Sequence, residues 1–155
     1  MKARTFLGTL IAGLLLASPV LAQSVTDVVE LTRSDIQTDR KLIVTNALQM
    51  TEAESQAFWP VYNEYWLEMN KILDKRVKLI LDYAGHYGTT TDDQAESMLD
   101  DYFKMAEDRL KLKKKYIKKF KKVLSSAKVA RYYQLENKLD AIIDLEIAAE
   151  IPLVR

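Results

Sequence analysis

Few residues in this chain have the type and spacing to act on a substrate. Its one histidine, His86, lies in the stretch AGHYGTT between Gly85 and Gly88, and the chain holds no cysteine. A zinc site needs three or four clustered donors, so His86 reads as an exposed turn residue rather than a ligand. Asp92-Asp93 and Asp100-Asp101 resemble paired carboxylates that could share a proton or hold a cation. At a helix start such a pair has a plainer use, because acidic side chains favour the positive end of the helix dipole. No glycine-rich phosphate loop occurs, nor any Ser/His/Asp spacing suited to nucleophilic catalysis. These residues imply no enzyme, no cofactor and no metal.

Cations on apolar helix faces carry more information. On a helical projection Arg76 falls at the centre of an apolar stripe, and Arg109 and Lys113 fall inside the apolar arc of a later segment. A buried charge without a partner is costly, so each must be paired, stacked on a ring such as Tyr102, or facing an open groove. Two readings stay open here: pairs inside a bundle, or a partly wet groove that binds other chains. In the groove reading Tyr62, Tyr65, Met69 and Tyr102 join Arg76, Arg109 and Lys113 in a protein-binding face. Aromatic and methionine side chains adapt to varied partners, although core packing is the ordinary use of such a stripe.

The stretch KLKKKYIKKFKKVL, residues 111–124, carries eight lysines. Leu112, Tyr116, Ile117, Phe120, Val123 and Leu124 fall on one side of the wheel and all the lysines except Lys113 on the other. That pattern describes the solvated face of a packed helix. Its functional alternative is docking on anionic lipid or an acidic partner through Lys114, Lys118 and Lys121. Residues 104–138 hold thirteen basic and three acidic side chains, so charge is unevenly spread along the sequence.

The elements that must position these residues follow from the rest of the chain. It opens MKARTFLGTLIAGLLLASPVLAQS, two cations followed by an apolar run and a small-residue exit. This is the layout of a signal peptide cleaved after Ala22, and the run is shorter than the roughly 20 residues a membrane span requires. Residues 23–155 then form one domain of 133 residues. Its 21 basic and 22 acidic side chains offer no polyanion-binding bias. Export and near-neutral charge argue against nucleic acid and point to the periplasm, with the medium as the alternative. Peripheral membrane contact is not favoured, since the apolar half of the lysine helix is needed for a core.

After the leader only Gly85, Gly88, Pro60 and Pro152 punctuate the chain, which predicts long helices and one marked reversal near 84–90. MTEAE, TTDDQ and LSSAK each place a hydroxyl where it caps the amide three residues on. Thr51 with Glu54 and Thr91 with Gln94 complete capping boxes. Helices are expected to begin near 52, 92 and 126, with a shorter one at about 35–48 carrying Ile36, Leu42, Ile43 and Leu48 inward. Pro60 is expected to kink the first long helix without breaking it. The second long helix is expected to pack Met98, Leu99, Tyr102, Phe103, Ala106, Leu110, Ile117 and Phe120 back on the first. The last is expected to pack Val129, Tyr132, Leu135, Leu139, Ile142 and Ile143. The fold class is all-α: a long antiparallel hairpin with two further helices, cradle-like or elongated.

MTEAE, TTDDQ and LSSAK resemble degenerate copies of the LTxxQ signature of the Spy/CpxP group of periplasmic helical proteins. FWPVYNEY, LKKKYIKKFKKVLS, ARYYQLENKL and IPLV also resemble a set of exported bacterial proteins of undefined role. The first resemblance implies a four-helix, cradle-like homodimer that binds unfolded clients without ATP or acts in envelope-stress signalling. The histidine-rich metal sites of some members have no counterpart here. Two functions are therefore expected: a chaperone-like or stress-adaptor protein, or a structural envelope protein docked through its lysine face.

Overall fold

The computed structural model describes residues 39–154. The expected signal peptide and Ile36 lie outside them. The described chain is helical, without a strand: α1 over residues 39–48, α2 Glu52–Gly85, α3 Asp92–Phe120 and α4 Ser126–Glu150. No helix among the described residues is long and apolar enough to cross a membrane.

Local chemistry sets where the helices begin. Thr51 Oγ accepts from the Glu54 amide at 3.2 Å, while the Thr51 amide donates to Glu54 Oε2 at 2.8 Å. Thr91 and Gln94 repeat the arrangement at 3.3 and 3.0 Å. Ser125 accepts from the Lys128 amide at 3.3 Å. Each box satisfies amides that a helix start otherwise leaves unpaired. The reversal after α2 passes through Gly88 at φ +81°, a backbone region where a side chain would be strained. α2 runs unbroken through Pro60.

Long-range pairs fix the topology. Glu64 meets Lys119, Glu68 meets Lys115 and Lys75 meets Asp108, so α3 descends as α2 ascends. Arg76 meets Asp144, and the Tyr83 hydroxyl donates to the Pro152 carbonyl, so α4 runs alongside α2 in the same direction. Lys128 donates to the Gln49 carbonyl and Arg40 to Glu136, which sets α1 antiparallel to α4.

The core occupies one end of the molecule, where all four helices meet. Phe58, Tyr62, Tyr65 and Met69 of α2 pack with Leu112, Tyr116 and Phe120 of α3, Val129 and Tyr132 of α4, and Val44 and Leu48 of α1. Ring centroids lie 4.9 Å apart for Phe120 and Tyr132, 5.2 Å for Tyr65 and Tyr116, and 5.4 Å for Phe58 and Phe120. Tilted contacts of this kind contribute about 0.5–1.5 kcal/mol each beyond area burial.

Away from that end burial thins out. On α2 only Ile80 is buried beyond Met69, on α3 no residue before Leu112 is, and on α4 none after Glu136 is. Three expectations about inward residues are thereby corrected. Leu42 and Ile43 of α1 are exposed because Arg40, Val44 and Leu48 form its inner face. Leu99, Tyr102, Phe103, Ala106 and Leu110 of α3 are exposed instead of packed on α2, and so is Ile142 of α4.

Candidate protein-docking site

The cations singled out by their placement are all paired. Arg109 Nη2 lies 2.6 Å and Lys113 Nζ 2.9 Å from Asp140 Oδ2 of α4, and Arg76 pairs with Asp144 one turn further on. A fourth cation, Arg40 of α1, donates two 3.0 Å hydrogen bonds to Glu136 and approaches Asp140 at 3.8 Å. Its guanidinium stacks over the Trp66 ring at 4.3 Å. Glu136, Asp140 and Asp144 therefore form a ladder on one face of α4, and each rung is met by a different helix.

This arrangement corrects the groove reading. Arg76, Arg109 and Lys113 do not line an open surface, because α4 lies over them and supplies the carboxylates. Tyr62, Tyr65 and Met69 are buried among the aromatics of the core; only Tyr102 of that group is exposed. The physical reason is the width of the α2 apolar face, which meets α1, α3 and α4 and so leaves its central residues covered. An open cleft of about 460 Å³ occurs between α1 and α2, lined by Arg40, Lys41, Tyr62, Asn63, Trp66 and Leu67.

Burial pushes the Glu136 carboxyl up from its ordinary value, against the pull of Arg40. The Tyr65 and Tyr132 hydroxyls are likewise pushed up by burial. Neither has a hydrogen-bond partner among the described residues. Nearer the surface, Lys128, Lys119 and Lys115 hold Glu54, Glu64 and Glu68 below the usual carboxylate range through direct hydrogen bonds.

The lysine run divides in two. Lys115 donates to both oxygens of Glu68 at 2.8 Å and Lys119 to Glu64 at 2.6 Å, so two of the lysines expected to be solvated tie α3 to α2. Lys114, Lys118 and Lys121 are exposed. Asp108, Leu112, Lys115 and Lys119 mark the α2-facing side of α3. At about 100° per residue, Leu99, Phe103, Ala106 and Leu110 lie on nearly the opposite side. Lys114, Lys118 and Lys121 share that outward half of the helix.

The outer face of α3 is thus apolar over its first half and cationic over its second. Leu99, Tyr102, Phe103 and Leu110 are each more than half exposed, and Tyr102 and Phe103 are in edge-on contact at 5.3 Å. On α4, Ile142 and Leu145 are exposed as well. A helical wheel does not reveal this surface, because the apolar residues of α3 read as one inward arc. They form two lines about 130° apart at about 100° per residue, one through Met98, Met105 and Leu112 and the other through Leu99, Phe103, Ala106 and Leu110. An arc that wide was the available signal.

His86 caps the end of α2 as an exposed residue, its Nδ1 2.7 Å from the Asp82 carbonyl. No group of three or more potential metal-ligating side chains occurs among the described residues. Asp92 and Asp93 lie in the first turn of α3, where they favour the positive end of the helix. No protein-family model, curated protein or solved structure matches the chain.

Proposed function

We propose that this chain is a non-enzymatic protein-binding module of the ATP-independent chaperone-like or envelope-stress adaptor kind, taking its partners on the outer face of α3. One observation carries the reading: Leu99, Phe103 and Leu110 stand exposed in line, and Lys114, Lys118 and Lys121 continue the same outward half of the helix. Contiguous exposed apolar side chains on an otherwise charged helix mark interaction surfaces. A neighbouring cationic stretch draws in acidic chains before apolar contact forms. Non-native polypeptides offer both features. The leader-like start and the resemblance to the Spy/CpxP group favour work in the periplasm.

The test is aggregation of an unrelated unfolded protein followed by light scattering. The chain in several-fold excess suppresses aggregation, and Phe103→Glu with Leu110→Glu loses the effect. Absence of suppression by the unaltered chain rejects the reading.

A second reading, docking on anionic lipid, is favoured by the exposure of Lys114, Lys118 and Lys121 alone. Leu112, Tyr116 and Phe120 behind them are buried, so such docking would be electrostatic and without insertion. Salt-sensitive binding to anionic vesicles that disappears when the three lysines become glutamate supports it. A homodimer through the same face is read out by sedimentation equilibrium.

A further inference from the structure

The carboxylate ladder of α4 does not hold evenly along its length. Side-chain exposure rises from 1% at Glu136 to 13% at Asp140 and 46% at Asp144. The near half of α4 is anchored by Val129 and Tyr132 in the aromatic core, whereas no residue after Glu136 is buried. The far half rests on Asp140, Asp144, the half-buried Ile143 and Ile147, and the bond from Tyr83 to the Pro152 carbonyl. Of the ladder's pairs the outermost, Arg76 with Asp144, is partly exposed and so is the one that salt screens, whereas Asp140 is mostly covered.

The surface under that half has a definite chemistry of its own. Arg76 of α2 and Arg109 and Lys113 of α3 are three cations, each about one quarter exposed or less, whose acidic partners all come from α4. With α4 removed they would form an unneutralised cationic row beside apolar residues of α2 and α3, which attracts carboxylates presented at matching spacing. α4 shows what fits: Asp140 and Asp144, four residues apart on one helix face, with Ile143 and Ile147 beside them.

We propose that the far half of α4 is a built-in occupant of a carboxylate-binding groove, and that the groove receives an acidic amphipathic helix of a partner protein when this half of α4 swings away about the Glu136 anchor. The proposal rests on the reading of the chain as a protein-binding module, but it uses a different surface from the outer face of α3. Tethering gives α4 an effective concentration on the order of millimolar, so a partner in solution competes poorly until the ladder is weakened. The intramolecular contact is thereby an autoinhibitory one.

The experiment uses the full chain and a labelled synthetic peptide of residues 134–150 as probe. In Asp140→Asn with Asp144→Asn, hydrogen exchange of residues 139–150 quickens while residues 129–136 stay protected. The same variant binds the peptide about tenfold or more tightly than the unaltered chain, once tethered competition is relieved. Adding Arg109→Gln with Lys113→Gln abolishes that binding. Equal peptide affinity for variant and unaltered chain, or binding that survives loss of Arg109 and Lys113, overturns the proposal.

A second measurement needs no variant. Between about 0.05 and about 0.5 M salt, exchange in residues 139–150 of the unaltered chain quickens and that of 129–136 does not, because screening acts on the partly exposed pair of Arg76 with Asp144. Salt-independent exchange of the far half also overturns the proposal. Aggregation suppression through the outer face of α3 is unaffected by either outcome, so failure here is distinguishable from failure of the binding-module reading.

Discussion

Arg40 and Glu136, 96 residues apart in the sequence, meet through two hydrogen bonds of 3.0 Å with both side chains almost completely covered. The contact joins the first described helix to the last. Asp140, Arg109 and Lys113 extend it to α3, and the Trp66 ring covers the guanidinium from α2. It is thus the point at which all four helices are tied.

Removing one partner of a buried pair leaves an uncompensated charge, which costs about 3–5 kcal/mol, whereas replacing both with apolar groups is often nearly neutral. Glu136→Ala is therefore expected to lower unfolding stability by about 3 kcal/mol. Glu136→Leu combined with Arg40→Met is expected to recover most of that loss. Urea denaturation of the three proteins checks this; a double variant no more stable than Glu136→Ala contradicts it.

The same carboxyl sets a pH dependence. Burial raises its folded value, so the folded state binds the proton more readily than the unfolded state does. The contribution of Glu136 to stability thus increases as pH falls from neutral through the raised folded value, and is complete below the ordinary value of 4.5. Relative to Glu136→Gln, which does not titrate, the unaltered chain gains stability between pH 7 and pH 4.5. Glu54, Glu64 and Glu68 act in the opposite sense: lysine partners lower their folded values, and their contribution is lost as pH falls through them. Denaturation of both proteins across that range isolates the Glu136 effect. Stability of the unaltered chain relative to Glu136→Gln that stays constant or falls between pH 7 and pH 4.5 contradicts it.

Two tyrosines should respond differently to loss of the hydroxyl. Tyr116 donates to Glu68 at 2.8 Å, and a hydrogen bond to a charged group is worth about 1.5–3 kcal/mol, so Tyr116→Phe destabilises. Tyr65 is fully buried and its hydroxyl has no partner among the described residues, so Tyr65→Phe is neutral or stabilising. Thermal unfolding of the two variants gives the comparison, and equal losses in both would contradict it.

The capping boxes offer a local test. Thr91→Ala removes the acceptor of the Gln94 amide and is expected to cost about 1 kcal/mol. Thr51→Ala is expected to cost more, because Glu54 of that box also holds Lys128 at the start of α4 at 2.6 Å. Equal losses in the two variants would show that the link to Lys128 adds nothing.

Helix starts were legible in the sequence because capping is decided within four residues: Thr51, Thr91 and the hydroxyl of LSSAK predict the observed boundaries. The aromatic stripe of α2 was legible for the same reason, since Phe58, Tyr62, Tyr65 and Met69 keep one phase. What the sequence could not convey was which face each remaining helix turns inward. α1 hides Arg40 and exposes Leu42 because Glu136 and Trp66, far along the chain, are placed to receive a guanidinium. α3 has two apolar lines, and the partners Glu64, Glu68 and Lys75 on α2 decide which of them is covered. The site expected around Arg76, Arg109 and Lys113 was identified by unusual residue placement, but the helix that covers it announces itself only through the spacing of Glu136, Asp140 and Asp144.

The location of partner binding can be measured directly by the hydrogen-exchange footprint of the full chain saturated with an unfolded protein. Added protection is expected along α3 at about residues 97–111, with loss of that footprint in the variant carrying Phe103→Glu and Leu110→Glu. Protection confined to residues 114–122, or a footprint unchanged in that variant, would contradict it.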